Sequence, residues 1–230
     1  MKKFDNDVAA LQHSVSEMGD VAKSMVVLVA EAVKDRTRDV HEQLYRDEAR
    51  INKMQTDIDQ EAIRMLTIYG PVATDLRFLL VSTHVTAKLE RIGDQAVNIC
   101  QALELMTTDP ADHPLRPSVR KMADMTCEIV DDALDAYFSK NQEKAVATRR
   151  RDDIVDAMND QVMKELLTEE VLREVLSGAT HIGEAVAQIL ISRYLERIAD
   201  QATNICKEVV YMVKGDDVRH IRSSPDQSGP

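Results

Sequence analysis

The sequence predicts an all-α protein built as two tandem three-helix bundles related by pseudo-two-fold symmetry. Three observations predict it: a twelve-residue segment occurs twice, apolar residues recur at helical spacing, and the composition disfavours sheets. Aromatics make up only 3% of the 230 residues and Trp is absent, while Met numbers eleven and Gly seven. Cores assembled from Ala, Val, Leu, Ile and Met suit long packed helices, and the length allows a core of real size.

The duplication organises the chain. Leu89 to Cys100 read LERIGDQAVNIC and Leu195 to Cys206 read LERIADQATNIC, identical at all positions but Gly93/Ala199 and Val97/Thr203. A looser match sets Glu48-Ala49-Arg50-Ile51-Asn52 against Asp152-Asp153-Ile154-Val155-Asp156. The spacing therefore predicts residues 1–108 as the first repeat, 109–117 as a linker, 118–215 as the second repeat and 216–230 as a polar tail.

Within the first repeat, Phe4, Val8, Leu11, Val15, Met18, Ala22, Met25, Val29 and Ala32 alternate steps of four and three, a continuous helical seam. A turn is expected near Arg38–Val40. The second helix then runs to Tyr69-Gly70-Pro71, where Gly suits a left-handed cap and Pro cannot continue a helix. The third helix carries the motif. Three prolines between Thr107 and Pro117 mark the linker. The second repeat follows the same plan, with a weaker seam around Met122, Ile129, Ala133 and Ala136. Its turns are expected near Ser139–Asn141 and at Ser177-Gly178.

Charge and composition exclude several functions. A formal net charge of −11 opposes binding to duplex nucleic acid, which needs cations to displace counterions. Arg149-Arg150-Arg151 is best explained as a solvated helix face. The N-terminus develops no apolar signal core, and no apolar run is long enough to span a bilayer. Cys100, Cys127 and Cys206 lack metal-finger or redox-pair spacing, as expected of reduced thiols in the cytoplasm. Cys100 and Cys206 continue the apolar stripes and are expected in the core, as are Met18, Met25, Met54 and Met65.

Chemistry concentrates in carboxylates. At about 100° per residue, Glu90 and Asp94 lie opposite the stripe Leu89, Ile92, Ala96, Ile99 and Leu103, and Glu196 and Asp200 lie opposite its counterpart. Four-residue spacing sets each pair side by side on neighbouring turns. The second helices carry matching pairs, Glu48 with Asn52 and Asp152 with Asp156. Adjacent helices would make one oxygen-rich patch per bundle, suited to hard cations or to iron held by carboxylates. Solvated surface is the plain alternative, and the same spacing at four repeat-matched positions weighs equally for a metal. Asn52 supplies a neutral ligand, so the first-repeat patch should bind more weakly.

The doubled motif, the segment Pro71-Val72-Ala73-Thr74-Asp75-Leu76-Arg77 and the ending Tyr211 to His220 together resemble the PhoU family over nearly the whole chain. The resemblance implies two three-helix bundles, a homodimer, and multinuclear metal sites, of iron or zinc, at the acidic pairs. Carried over by position, the ligands are Glu90, Asp94, Glu196 and Asp200, with Glu48, Asn52, Asp152 and Asp156 across from them. The family restrains phosphate signalling between the phosphate ABC transporter ATPase and a phosphate-sensing histidine kinase. It acts in the cytoplasm and reaches the membrane only through those partners. Gly70, Ala199 and Ser177-Gly178 depart from the usual pattern and leave the shape of the second-repeat turn open.

Asp75 and Arg77 open the third helix and have no second-repeat equivalent. An acidic residue in a first turn favours the helix dipole. The one-sided occurrence also fits a surface for docking a partner. A carboxylate-bridged di-metal enzyme of ferritin-like type would need Glu-x-x-His on two helices, and no Glu here has His three residues on. Nucleophile elbows and glycine-rich phosphate loops are likewise missing, so the expectation is not an enzyme. An accessory role beside a simple phosphate permease is the runner-up.

Overall fold

The structure is a computed structural model that describes residues 2–106, 115–166 and 182–215. Every regular element among these residues is a helix. The first repeat comprises α1 (Lys2–Lys34), α2 (His41–Tyr69) and α3 (Ala73–Glu104). The second comprises α4 (Pro117–Phe138), α5 (Gln142–Arg149), α6 (Asp152–Leu166) and α7 (Ile182–Lys214). Residues 107–114, the expected turn at Ser177-Gly178 and the expected tail at 216–230 lie outside the described residues.

The α1 seam is buried from Leu11 to Ala32, and Phe4 and Val8 pack against the core from its edge. Tyr69 Oη donates to Asp7 Oδ2 at 2.8 Å, and Arg64 Nη2 donates to the same oxygen at 2.6 Å. Those bonds clamp the start of α1 to the end of α2, with the Phe4 ring edge-on to Tyr69. α2 stops at Gly70, whose φ of 51° and ψ of 50° are left-handed and whose N–H bonds back to Leu66 O. Only glycine adopts that conformation without steric cost, as a helix cap followed by Pro71 requires.

The third helices form the centre of the molecule. α3 touches α1 and α2 in its own bundle and α7 in the other, and the α3–α7 contact is the most extensive of all. Small residues permit this density. A Cβ on Gly93 would stand 3.3 Å from Ile51 Cδ1, and one on Gly19 of α1 would stand 3.1 Å from Leu134 Cδ2 of α4. Polar groups tie the repeats together as well: buried Ser82 and Tyr137 hydroxyls meet at 3.0 Å, and Lys88 Nζ donates to buried Glu208 at 3.2 Å.

Two expectations need correction. The middle helix of the second repeat is not continuous but breaks into α5 and α6. At the break, Arg150 and Arg151 N–H bond three residues back, to Ala147 O and Thr148 O, which tightens the turn and ends α5. The Arg151 guanidinium then reaches Asp132 at 2.9 Å and Glu128 at 2.5 Å on α4, drawing the chain across before α6 begins. The arginine run is therefore partly an anchor and not wholly a solvated face. The second correction concerns the acidic pairs, predicted to point away from the core. Glu90, Asp94, Glu196 and Asp200 are half-buried, while their neighbours Arg91 and Arg197 are exposed. A helix packed against three others has only a narrow free arc, and counting from a single stripe underestimates how much of it is covered.

The Gly93 contact makes a test of the packing. Gly93→Ala should cost little, because the second repeat accommodates Ala199 at the same place. Gly93→Val should destabilise by about 1–3 kcal/mol through overpacking against Ile51 and Met25. Urea unfolding of the two variants checks this, and equal midpoints would show that the approach of α2 to α3 is looser than described.

Candidate metal centre

The break between α5 and α6 has a consequence for chemistry. It makes Asp152 the first residue of α6, with Asp156 one turn further on, facing Glu196 and Asp200 of α7. One carboxylate oxygen from each of Asp152, Asp156 and Asp200 lies within 4.8 Å of the others. Among the described residues this is the one such set of three. Asp152 Oδ1 is buried with no hydrogen-bond partner, a costly state that a cation in contact with it would relieve.

The electrostatics express the crowding. Burial pushes the Asp152 carboxyl up to about 6, with Asp200 and Asp156 adding to the shift and Lys207 and a bond from Thr203 opposing it. Burial also raises Asp200 to about 6, reinforced by Glu196 and Asp156 and reduced by Lys207. Asp156, though exposed, is raised first by desolvation and then by Asp153 and Asp160. Glu196 is raised by burial, then by Asp156, with Arg197 and Arg193 pulling the other way. Such a group of acids resists full ionisation unless a cation balances it.

The first-repeat set is milder. Burial raises Glu90, with Asp94 and Glu48 adding to it and Arg91 opposing. Burial alone raises Asp94. Asn52 is exposed and turns its amide Nδ2 toward Glu48 Oε1 at 3.4 Å, so a neutral donor occupies the place that Asp156 holds in the second repeat. In this set Asp94 and Glu48 act on Glu90, and no third carboxylate converges with them.

Sequence reasoning missed two residues. Lys207 is the cation that faces Asp152 and Asp200. Its signal was present, because it lies seven residues beyond Asp200 on the same face of α7; the equivalent residue of α3 is Gln101. Asp59 is the other, its carboxyl raised by burial and its Oδ1 buried without a partner. Nothing in the local sequence distinguishes it from the exposed Asp57.

Asp75 and Arg77, the expected docking pair, differ in exposure. Asp75 is exposed in the first turn of α3. Arg77 is half-covered, its guanidinium 3.7 Å from where a Cβ of Gly215 would stand and its Nη2 donating to Thr74 Oγ1 at 3.4 Å. Val72, Leu76 and Leu80 lie beside Asp75 at four-residue spacing and are all exposed, Val72 at 75%. No helix among the described residues is long and apolar enough to cross a membrane.

With the repeated helices and their paired acids in place, comparison with known proteins is decisive. The PhoU domain family matches residues 15–103 and again 119–209, one domain for each repeat. The chain belongs to the PhoU family. The phosphate-specific transport system accessory protein PhoU homolog of Clostridium acetobutylicum is 29% identical over 218 residues, covering 94% of this chain and 97% of its own. The phosphate-specific transport system accessory protein PhoU of Escherichia coli K12 is 28% identical over 220 residues, covering 95% and 88%. The crystal structure of PhoU from Pseudomonas aeruginosa superposes with a TM-score of 0.82 at 26% identity, covering 93% of this chain and all of that one. The phosphate transport system regulatory protein PhoU from Streptococcus pneumoniae shares the fold, also with a TM-score of 0.82, over 94% and 99% of the two chains.

The raised acids of this PhoU-family centre predict a pH effect of definite sign. Between the ordinary Asp value of 3.8 and about 6, the folded, metal-free protein holds protons that the unfolded chain releases, so stability falls as pH rises through that window. Asp200→Asn removes one of the crowded charges. After discounting for solvent screening of a half-exposed group, metal-free variant should exceed wild type by about 1 kcal/mol at pH 7.5, or roughly 2–4 °C in Tm. The gain should vanish below about pH 4, where both are neutral at this position. Thermal scans of chelator-treated protein at the two pH values decide it; a variant less stable than wild type at pH 7.5 refutes the crowding.

Proposed function

We propose that this chain regulates phosphate uptake, restraining the phosphate-starvation response as an adaptor between the phosphate ABC transporter ATPase and a phosphate-sensing histidine kinase. The observation that carries the reading is the repeated carboxylate-bearing helix, present in both halves of a chain that matches PhoU relatives almost end to end. Those relatives bear accessory and regulatory names, which fits a protein that acts by contact and not by catalysis. The work would be done on the cytoplasmic face, by a homodimer that approaches the membrane through its partners and does not bind nucleic acid.

The docking surface in this reading is the start of α3. Val72, Leu76 and Leu80 offer an exposed apolar row, and Asp75 adds a charge beside it. Arg77 follows on the same turn, its guanidinium near Gly215 at the end of α7. Apolar anchors flanked by charge are what a specific protein contact uses.

The donor set of the second repeat fits a metal. Asp152, Asp156 and Asp200 supply converging oxygens, Asp152 Oδ1 lacks another partner, and Glu196 stands alongside. Iron or zinc bound there would offset most of the local negative charge and weaken the repulsion of an approaching anion. The chain's own groups set the position: α6 presents two aspartates a turn apart, α7 presents Glu196 and Asp200, and Lys207 limits the excess negative charge. Glu90, Asp94, Glu48 and Asn52 would form the weaker first-repeat counterpart.

Complementation tests the regulatory reading. In a strain lacking its own PhoU protein, this chain should restore repression of a phosphate-starvation reporter in phosphate-rich medium, and should co-purify with the transporter ATPase. Val72→Asp combined with Leu76→Asp should abolish both while leaving Tm within about 2 °C, as expected for exposed positions. Failure of the wild-type chain to repress or to co-purify would sink the adaptor role. Elemental analysis of protein purified without a metal-chelating column then tests the donor set. Metal should be present in wild type and lost from a variant with Asp152, Asp156 and Asp200 all changed to Ala.

A further inference from the structure

α1 carries a second seam besides the one that fills the core. The core takes Leu11, Val15, Met18, Ala22 and Met25. On a neighbouring face, Ala10, Ser14, Glu17, Val21 and Ser24 again alternate steps of four and three. On α2, Gln43, Asp47, Arg50, Met54, Asp57 and Glu61 repeat the same spacing. The two stripes border one groove. Two cavities lie along it, of about 350 and about 380 Å³, and Glu17 is a wall of both. Among the described residues, α1 and α2 alone line them. At 1.5 Å per residue, Ala10 to Ser24 spans about 21 Å, or about four turns of helix.

The groove has an apolar base and an acidic rim. Leu11, Val21 and Ile58 line it as buried side chains, and Met54 packs against the core while remaining partly exposed. A flexible thioether adapts to whatever lies on it. Small residues keep the α1 wall low, and Ser14 Oγ donates to Ala10 O at 3.2 Å, so its hydroxyl needs no outside partner. Five of the lining residues are acids and one, Arg50, is a cation. Asp57 pairs with Lys53 and Glu61 with Arg64. Asp47 accepts only from the neutral Gln43 amide, at 2.7 Å, and among the described residues no Lys or Arg pairs with Glu17, Asp20 or Asp47.

The second repeat shows what such a groove takes. The offset of 104 that sets Glu48 against Asp152 also relates the starts of the two matched domains, residues 15 and 119. It puts Arg151 in the place of Asp47 and Glu128 in the place of Ser24. There the chain supplies its own cations: Arg151 bonds Glu128 and Asp132, and Lys144 bonds Asp132 and Asp135, all three acids on α4. In the first repeat those two places hold an acid and a serine, and the groove stays open.

We propose that the α1–α2 groove docks a basic amphipathic helix of a partner protein, with small apolar residues along the Met54 base and Lys or Arg on its flanks. Helix-in-groove recognition uses this combination of a narrow apolar seam and complementary charge. A helix seated there packs on α1 and α2 much as α3 does on their core side. A second copy of the chain is a poor occupant, because it brings a further net charge of −11. The surface is separate from the acidic pairs: at about 100° per residue, Glu48 and Asn52 lie on the far side of α2 from the groove. It is separate too from the exposed row of α3.

The probe is a fluorescein-labelled model helix of about 18 residues, Ala and Leu on one stripe and Lys beside it, long enough to fill the groove. Titration with the full-length chain should raise its anisotropy to saturation at one peptide per chain. The same peptide with Glu for every Lys should not bind. Glu17→Lys with Asp47→Lys should weaken binding roughly tenfold or more. Glu143→Lys with Asp160→Lys makes an equal change of net charge at exposed positions of the second repeat; at physiological ionic strength, which screens distant charges, affinity should stay within about twofold. Met54→Glu separates seating from mere attraction: the added charge strengthens a nonspecific complex, whereas a carboxylate covered by a seated helix should weaken binding about tenfold. Circular dichroism confirms folding, and the charge-reversal arm stands even if Met54→Glu does not fold. No saturable binding, equal loss in the two charge-reversed variants, or tighter binding by Met54→Glu overturns the proposal. So does a dimer of the chain alone, seen by sedimentation, that Glu17→Lys with Asp47→Lys disrupts, because the groove then belongs to a second copy. The assay contains no transporter or kinase, so its outcome is independent of the regulatory role.

Discussion

The arrangement rests on one contact, the packing of α3 against α7. Each of these helices must close the core of its own bundle and also bury a second face against its counterpart in the other repeat. The motif meets both demands with Ile92, Ala96 and Ile99 in one repeat and Ile198, Ala202 and Ile205 in the other, all fully buried. Gly93 and Ala199 keep the helices thin where their neighbours approach. So much of each surface is covered that the free arc is narrow, and the acidic residues at its margin become half-buried. Their raised proton affinity is thus a by-product of the packing that holds the two repeats together.

The contact also contains polar groups that a purely apolar interface would not need. Glu208 of α7 is buried and meets Lys88 and His84 of α3. A displaced register would leave that carboxylate in a dry environment without its partners, a penalty far larger than the net worth of the pair itself. The repeat-equivalent position on α3 is the buried Ala102, so the charge lock runs in one direction only. Near-identical helices offer more than one register, and an asymmetric ionic contact favours the one seen.

Much of this was legible in the sequence, for reasons that particular residues make plain. The α1 seam was readable because every third or fourth residue is apolar for eight turns, and the stop at Gly70-Pro71 because those two residues have few other uses. The break after Arg149 was not readable. It depends on Arg151 finding Glu128 and Asp132 on another helix, and a window along the chain holds no trace of that. The exposure of Glu90, Asp94, Glu196 and Asp200 was misjudged for a related reason: periodicity shows which face is buried best, not how many neighbours cover the rest. The convergence of Asp152, Asp156 and Asp200 was legible as spacing and repeat position, whereas Lys207 needed the fold to show which acids it faces.

The two repeats have diverged in a consistent direction. The second keeps its charge, with Asp156 and Lys207 where the first has Asn52 and Gln101. The first has neutral amides at those positions, and its Asn52 and Gln101 bond to Glu48 and Tyr45 within the repeat instead. A crowded, half-buried set of acids holds protons up to about pH 6, so its charge responds to pH in that range. The first-repeat acids are raised as well, but no third carboxylate converges with them. Duplication therefore leaves two bundles whose acids are crowded to different degrees. α3, with its exposed row at Val72, Leu76 and Leu80, belongs to the milder half. It packs along α7, which carries Glu196 and Asp200, so the two repeats meet through the very helices that carry their acidic pairs.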